Sequence, residues 1–155
     1  MSAGFRYLLI VSCSQRKRPC SGICPAIDLY DGSSFRVLRK AQREGYWPSE
    51  LNLLILSAKY GLIEATTLVE NYDQKMTRER ALALQAPVST SCDWHLSRDS
   101  YSQVFINLGR TYMIALAQSK AIPLLGGRVH YANGGIGQKA SEMKAWLQRL
   151  YQESD

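Results

Sequence analysis

"FRYLLIVSCSQRK", residues 5–17, decides the fold class. Tyr7 to Val11 form an unbroken apolar run with β-branched members, and no polar position marks a solvent face. Such a run reads as a strand buried on both sides. "LNLLILS" (51–57), "QVFINLG" (103–109) and "AIPLLG" (121–126) repeat the pattern. Helical segments fall between them. "GSSFRVLRKAQREGYW" (32–47) has Ser33 or Ser34 as N-cap and Gly45 near its end. "TRERALALQ" (77–85) is a short helix capped by Thr77, "SCDWHLSRDSY" (91–101) a second, and "TYMIALAQS" (111–119) a third. In "GQKASEMKAWLQRLYQ" (137–152), Met143, Trp146, Leu147, Leu150 and Tyr151 make one apolar helix face. Apolar strands alternating with helices predict a three-layer α/β/α sandwich with a mainly parallel sheet of about four strands.

The 155 residues fit one domain. No apolar run approaches the ~18 residues of a membrane span, so no membrane partner is expected. The N-terminus carries no signal-peptide pattern, which predicts a cytoplasmic protein with its four cysteines reduced. The net charge of +6 is localised: residues 1–43 hold eight Lys/Arg against Asp28 and Asp31, and the remainder is balanced. Arg36, Arg39, Lys40 and Arg43 fall at helical spacing as one basic stripe. With Arg16 and Arg18 in the first loop they form the expected phosphate footprint, and the expected partner is nucleic acid, with DNA the first choice.

In parallel α/β sheets ligands sit at the carboxyl ends of the strands. That rule selects "SCSQRK" (12–17), "SAKYG" (57–61), "GRTY" (109–112) and "GRVHYANGGIG" (127–137). A phosphatase loop is excluded, because the arginine of Cys-x5-Arg would fall on Pro19. A Walker loop is excluded as well. Cys13, Cys20, Cys24, Cys92 and His95 lack the spacing of a common zinc or iron–sulfur site, so neither metal nor other cofactor is expected. His95, next to Trp94, reads as structural, whereas His130 stands at a strand's end as a candidate site residue. Tyr30, Tyr60, Tyr72 and Tyr131 lie in the loops of the inferred crevice, where a ring can stack on a base.

"ILSAKYGLIEATTLVENYDQKM" (55–76) resembles a signature of the bacterial peroxide-stress protein family at Leu56, Ser57, Tyr60, Gly61, Leu62, Ile63, Leu68, Val69, Tyr72 and Met76. Ala65 stands where that family has proline, and Asp73 where it has a basic residue. Ser12, Cys13, Ser14 and Lys17, then Ala26, Asp28, Leu29 and Tyr30, are similar to a set of small proteins with Ser-Cys-Ser-x-x-Lys and Ala-x-Asp-Leu-Tyr. Cys-x3-Lys after a strand also resembles the catalytic domain of archaeosine synthase, which modifies a deazaguanine base in transfer RNA. All these groups look like distant relatives of the uracil-DNA glycosylase fold, and the likeness spans about two-thirds of the chain.

The resemblance implies a DNA glycosylase-like enzyme acting on a modified base, such as a hypermodified phage base, with phage defence as a setting. The glycosylase loops Gly-Gln-Asp-Pro-Tyr-His and His-Pro-Ser-Pro are missing, which argues against uracil itself. Asp73 is the first choice of catalytic carboxylate and Asp28 the second. Lys17 and the backbone around Ser12–Ser14 would meet the phosphate or the departing base. His130 would donate to the base, and Gly135 brings backbone to a helix N-terminus. Alternatives are a base-modifying transferase and a non-catalytic DNA-binding module. The oligomeric state stays open.

Overall fold

The computed structural model describes residues 4–153. In chain order the elements are β1 (Tyr7–Ser12), β2 (Ile23–Pro25), α1 (Ala26–Leu29), α2 (Ser33–Glu44), β3 (Leu51–Ser57), β4 (Gly61–Glu64), β5 (Leu68–Glu70), α3 (Arg78–Arg98), β6 (Gln103–Asn107), α4 (Arg110–Leu116), a 3₁₀ segment (Ile122–Arg128), β7 (Val129–Tyr131) and α5 (Ile136–Glu153). The five-stranded sheet has the order β4-β3-β1-β6-β7. β1 pairs in parallel with β3 and β6, β7 pairs in parallel with β6, and β4 runs antiparallel to β3. The fold is α/β, with a mixed, mostly parallel sheet flanked by helices.

Alternation along β1 divides the core. Leu9, Val11 and Cys13 pack with Phe35 and Leu38 of α2 and with Met143, Trp146 and Leu147 of α5. Leu8 and Ile10 pack with Leu84, Val88 and Cys92 of α3 and with Ala115 and Leu116 of α4. β1 therefore buries both faces, which explains why its sequence shows no polar alternation.

Several local readings need correction. "AIPLLG" is not a strand: Pro123 lies in the first turn of the 3₁₀ segment, and Gly126 has φ 58°. The fourth parallel strand is β7, immediately after it. The two helices expected over 77–101 are one helix, α3, with Pro87 inside it. Its buried residues Ala81, Leu84, Val88, Cys92 and His95 recur at helical spacing, and burying that seam outweighs the proline's local cost of roughly 3 kcal/mol. The N-cap of α2 is Gly32 rather than a serine. Thr77 does cap α3, its hydroxyl accepting from the Arg80 N–H at 3.1 Å. Gly45 ends α2 with φ 79°, a left-handed geometry that favours glycine. No helix among the described residues is long and apolar enough to cross a membrane.

Candidate functional site

The chain leaves β1 through α2 for β3 on one side, then crosses through α3 to β6 on the other side. β1 and β6 therefore flank the point where the winding reverses, the usual place for a ligand crevice. A cavity of about 540 Å³ opens there. Its walls are Ser12–Gln15 after β1, Gly32–Phe35 at the start of α2, Gln74–Thr77 before α3, Asn107 and Gly109 after β6, Tyr112 of α4, and Ile136 and Lys139 of α5. A volume of this size suits a small ligand or an everted nucleotide.

The electrostatic character of the cavity follows from its walls. Neither α2 nor α4 has a side-chain cap at its start, at Gly32 and Gly109. Their first backbone N–H groups are thus left without a helical partner beside the cavity. Lys75 and Lys139 add cationic groups, and no lining residue is Asp or Glu. At the floor Cys13, 7% exposed, lies with its Sγ 3.2 Å from the Tyr112 hydroxyl. Burial and then the neighbouring Cys13 raise the Tyr112 phenol well above its ordinary range, so it stays a neutral donor. The Asn107 side-chain amide donates to Ser34 Oγ at 2.9 Å, joining the end of β6 to the start of α2.

Beside the cavity lies a polar chain. Tyr72 Oη is 2.8 Å from both Ser57 Oγ and Tyr30 Oη, and Ser57 Oγ also accepts from the Lys59 and Tyr60 N–H groups. Burial pushes the Tyr30 phenol up to about 12 and raises Tyr72 further. This chain fixes the loop after β3 against the loop after β1. It also corrects the stacking expectation for Tyr30, which is 0% exposed and offers no ring face to a base. Tyr60 packs edge-on to Tyr72 at 5.5 Å and exchanges hydrogen bonds with the Glu70 backbone. Gly61 has φ 78° at the tight turn from β3 into β4, so its requirement is conformational.

Of the candidate site residues, Ser12, Cys13 and Ser14 line the cavity, Tyr30, Ser57, Tyr60 and Tyr72 join in the polar chain beside it, and Lys17 Nζ lies 4.6 Å from the Tyr72 ring centroid. The remaining candidates lie elsewhere. β7 is the edge strand beyond β6, so His130 and Tyr131 open instead onto a second cavity with Glu142 and Arg149. Gly135 precedes the lining residue Ile136 without lining the first cavity itself. Asp28 is exposed on α1 and lies outside the wall. Asp73 is exposed too, one residue before the lining segment that starts at Gln74.

Within the basic stripe only Arg39 is turned inward, while Arg36 and Lys40 pair with acids at the surface. Asp31, a residue the site reading passed over, pairs with Arg16 at 3.8 Å, Arg36 at 3.4 Å and Arg39 at 2.5 Å. Arg39, with its side chain 13% exposed, also donates to the carbonyls of Tyr30 and Ile27, so its role is to fasten α1 to α2. Lys40 pairs with Glu44 at 3.7 Å. Arg43 and Arg18 remain exposed and make no ion pair among the described residues.

The Asp31 cluster makes stability pH-dependent. The hydrogen bond from Arg36, then the charges of Arg36, Arg39 and Arg16, hold its carboxyl below the ordinary 3.8, against a smaller opposing effect of burial. The unfolded chain therefore takes up the proton first. The contribution is complete above pH 3.8 and is lost as pH falls through the lower folded value. Urea midpoints measured between pH 6 and pH 2.5 should fall less steeply in Asp31→Asn than in the wild type. Equal slopes would show that the cluster adds nothing.

Among the described residues no group of three or more His, Cys, Asp or Glu side chains is gathered where it could hold a metal ion. All four cysteines are free thiols. Loss of solvent and the neighbouring Cys20 push the Cys24 thiol up to about 11, and burial does the same for Cys92, which disfavours thiolate at neutral pH. Burial lowers His95 below its ordinary value and keeps it neutral beside Trp94, as suits a packing residue.

The signals that could have revealed the missed residues are faint. Asn107 is a polar residue closing an apolar run, and Tyr112 lies in the selected "GRTY" segment. Asp31 stands just ahead of a basic helix.

A family described as a family of unknown function (DUF6884) matches residues 8–149, and the chain belongs to it. No curated protein matches the chain. Among solved structures, the crystal structure of AF0587, a protein of unknown function, is similar with a TM-score of 0.53 at 12% identity. The match covers 93% of this chain and 45% of that one, so the chain spans less than half of that protein's length. At this identity the likeness shows a shared fold alone.

Proposed function

We propose that the protein is an enzyme that holds a modified DNA base in the switch-point cavity and cleaves its N-glycosidic bond. The observation that carries this reading is the cavity itself: a nucleotide-sized volume at the reversal of the sheet, with uncapped helix starts, two lysines and no carboxylate in its wall. Cleavage leaves negative charge on the departing base, and N–H donors and cations with no opposing acid favour that charge. Everting a base from the stack costs a few kcal/mol, least for a damaged or mismatched one. The resemblance to the glycosylase fold, through the peroxide-stress and archaeosine synthase groups, supports the same chemistry. Asp73 supplies the carboxylate from the mouth of the cavity, where the sugar would remain.

One observation favours a second reading. A thiol–phenol pair, Cys13 with Tyr112, forms the cavity floor where a carboxylate is missing. A nucleophile there suits a base-modifying transferase that works through the base rather than the sugar. Mass spectrometry of naturally modified DNAs after incubation with the protein separates the two. The glycosylase releases a free base and leaves an abasic site in equal amount. A base that stays on the strand with altered mass identifies the transferase, and unchanged DNA from every source sinks both.

A further inference from the structure

We infer that the DNA backbone is gripped by three lysines around the Tyr72–Lys75 segment, Lys17, Lys59 and Lys75, rather than by the paired cations of α2. This rests on the proposed DNA substrate and assigns which residues hold its phosphates. Among the described residues, Arg16, Arg36 and Arg39 share the one carboxylate of Asp31 and Lys40 pairs with Glu44, whereas Lys17, Lys59 and Lys75 have no carboxylate partner. Cations left unpaired beside an anion-seeking cavity are the ones available to release counterions from a phosphate backbone.

The geometry holds two of them ready. Lys17 Nζ lies 4.6 Å from the centroid of the Tyr72 ring, and Lys59 Nζ lies 5.2 Å from that of Tyr60 and 5.8 Å from that of Tyr72. Two like charges converge on one aromatic ring with no acid between them, an arrangement that a passing anion relieves. The ring cannot drift, because its hydroxyl is held by Ser57 and Tyr30. Neither backbone can drift either. Lys17 bridges to Tyr30, and the carbonyl of Lys59 accepts from Arg80 at 3.0 Å. Lys75 stands in the wall itself, on the segment that Tyr72 begins. The three lysines thus lie near the Tyr72–Lys75 segment that carries Asp73, and phosphates beside an everted nucleotide would reach them.

The test is anisotropy of a labelled single-stranded DNA oligonucleotide, titrated at a series of salt concentrations. Each lost contact to a single strand lowers the log–log slope by about 0.7, so Lys17→Gln with Lys59→Gln and Lys75→Gln should lower it by about 2. Arg36→Gln with Lys40→Gln, whose charges are shared with Asp31 and Glu44, should lower it by much less. Replacing the three lysines with arginine keeps the charge and should restore the slope, which separates charge loss from misfolding.

A wild-type slope in the glutamine variant, or an equal loss from the α2 variant, overturns the inference. So does a failure of the arginine variant to recover. The functional reading fails separately: the slope can follow the three lysines while no base is ever released, or base can be released while the slope ignores them.

Discussion

Asp73→Asn should slow base release by about 10²–10⁴-fold while leaving DNA affinity close to the wild-type value. The bond breaks with positive charge growing on the sugar, and asparagine keeps the shape but not the charge that balances it. The wall of the cavity has no carboxylate to take over. Asp73 is exposed and makes no ion pair among the described residues, so its replacement removes no contact that stabilises the fold. Unfolding free energy should therefore stay level while single-turnover release collapses. Asp28→Asn, on α1 and outside the wall, should do much less. If Asp28→Asn is the inactive variant, the first loop carries the chemistry. If both variants release base at the wild-type rate, neither carboxylate acts, and the thiol–phenol floor becomes the reacting centre.

The second large effect concerns the fold. Trp146→Ala should cost about 3–5 kcal/mol of unfolding free energy in urea. The indole is buried between α5 and the sheet, its ring 5.1 Å from that of Phe105, and its N–H donates to Gln103 Oε1 at 3.0 Å. Truncation removes apolar contact and strands that acceptor at once. Trp94→Ala makes the control. That ring is 52% exposed, with the Arg98 guanidinium 4.8 Å from its centroid, and its loss should cost about 0.5 kcal/mol or less. Equal costs for the two would mean that α5 does not dock as described. The cavity depends on this docking, since Ile136 and Lys139 at the start of α5 form part of its wall.

The central strands were legible because burial on both faces leaves an unmistakable apolar run, as in Tyr7–Val11 and Leu53–Leu56. Short edge strands leave no such trace. β7 buries little and β4 is only four residues long, so "VHY" and "GLIE" carry too few apolar residues to stand out. "AIPLLG" misled in the opposite sense, since apolar content without regard for Pro123 and Gly126 imitates a strand. Pro87 likewise hid the continuity of α3, because its cost is local and the packing that overrides it is not.

For the site, Ser12–Ser14 could be placed because the end of the first strand fixes them. Tyr112 could not be placed against Cys13, 99 residues away, without knowing that β6 lies beside β1. Strand order is a property of the sheet and is not written in any one segment. The same ignorance moved His130 into the crevice, although β7 is one strand too far out. Asp31 shows the matching problem for charge. A basic stripe looks free until a neighbouring loop delivers an acid that pairs with part of it.

The measurement closest to the central claim fills the cavity. Ser33, exposed at the start of α2, lines it and makes no side-chain hydrogen bond that anchors the helix, so a large side chain can be introduced there without disturbing the core. Single-turnover base release by Ser33→Trp should be abolished, with the salt dependence of DNA binding and the urea midpoint unchanged, while the wild type releases base from the same DNA. Release by Ser33→Trp at the wild-type rate, or none by the wild type from any modified DNA, would contradict the assignment of this cavity as the place where the base is held and cut.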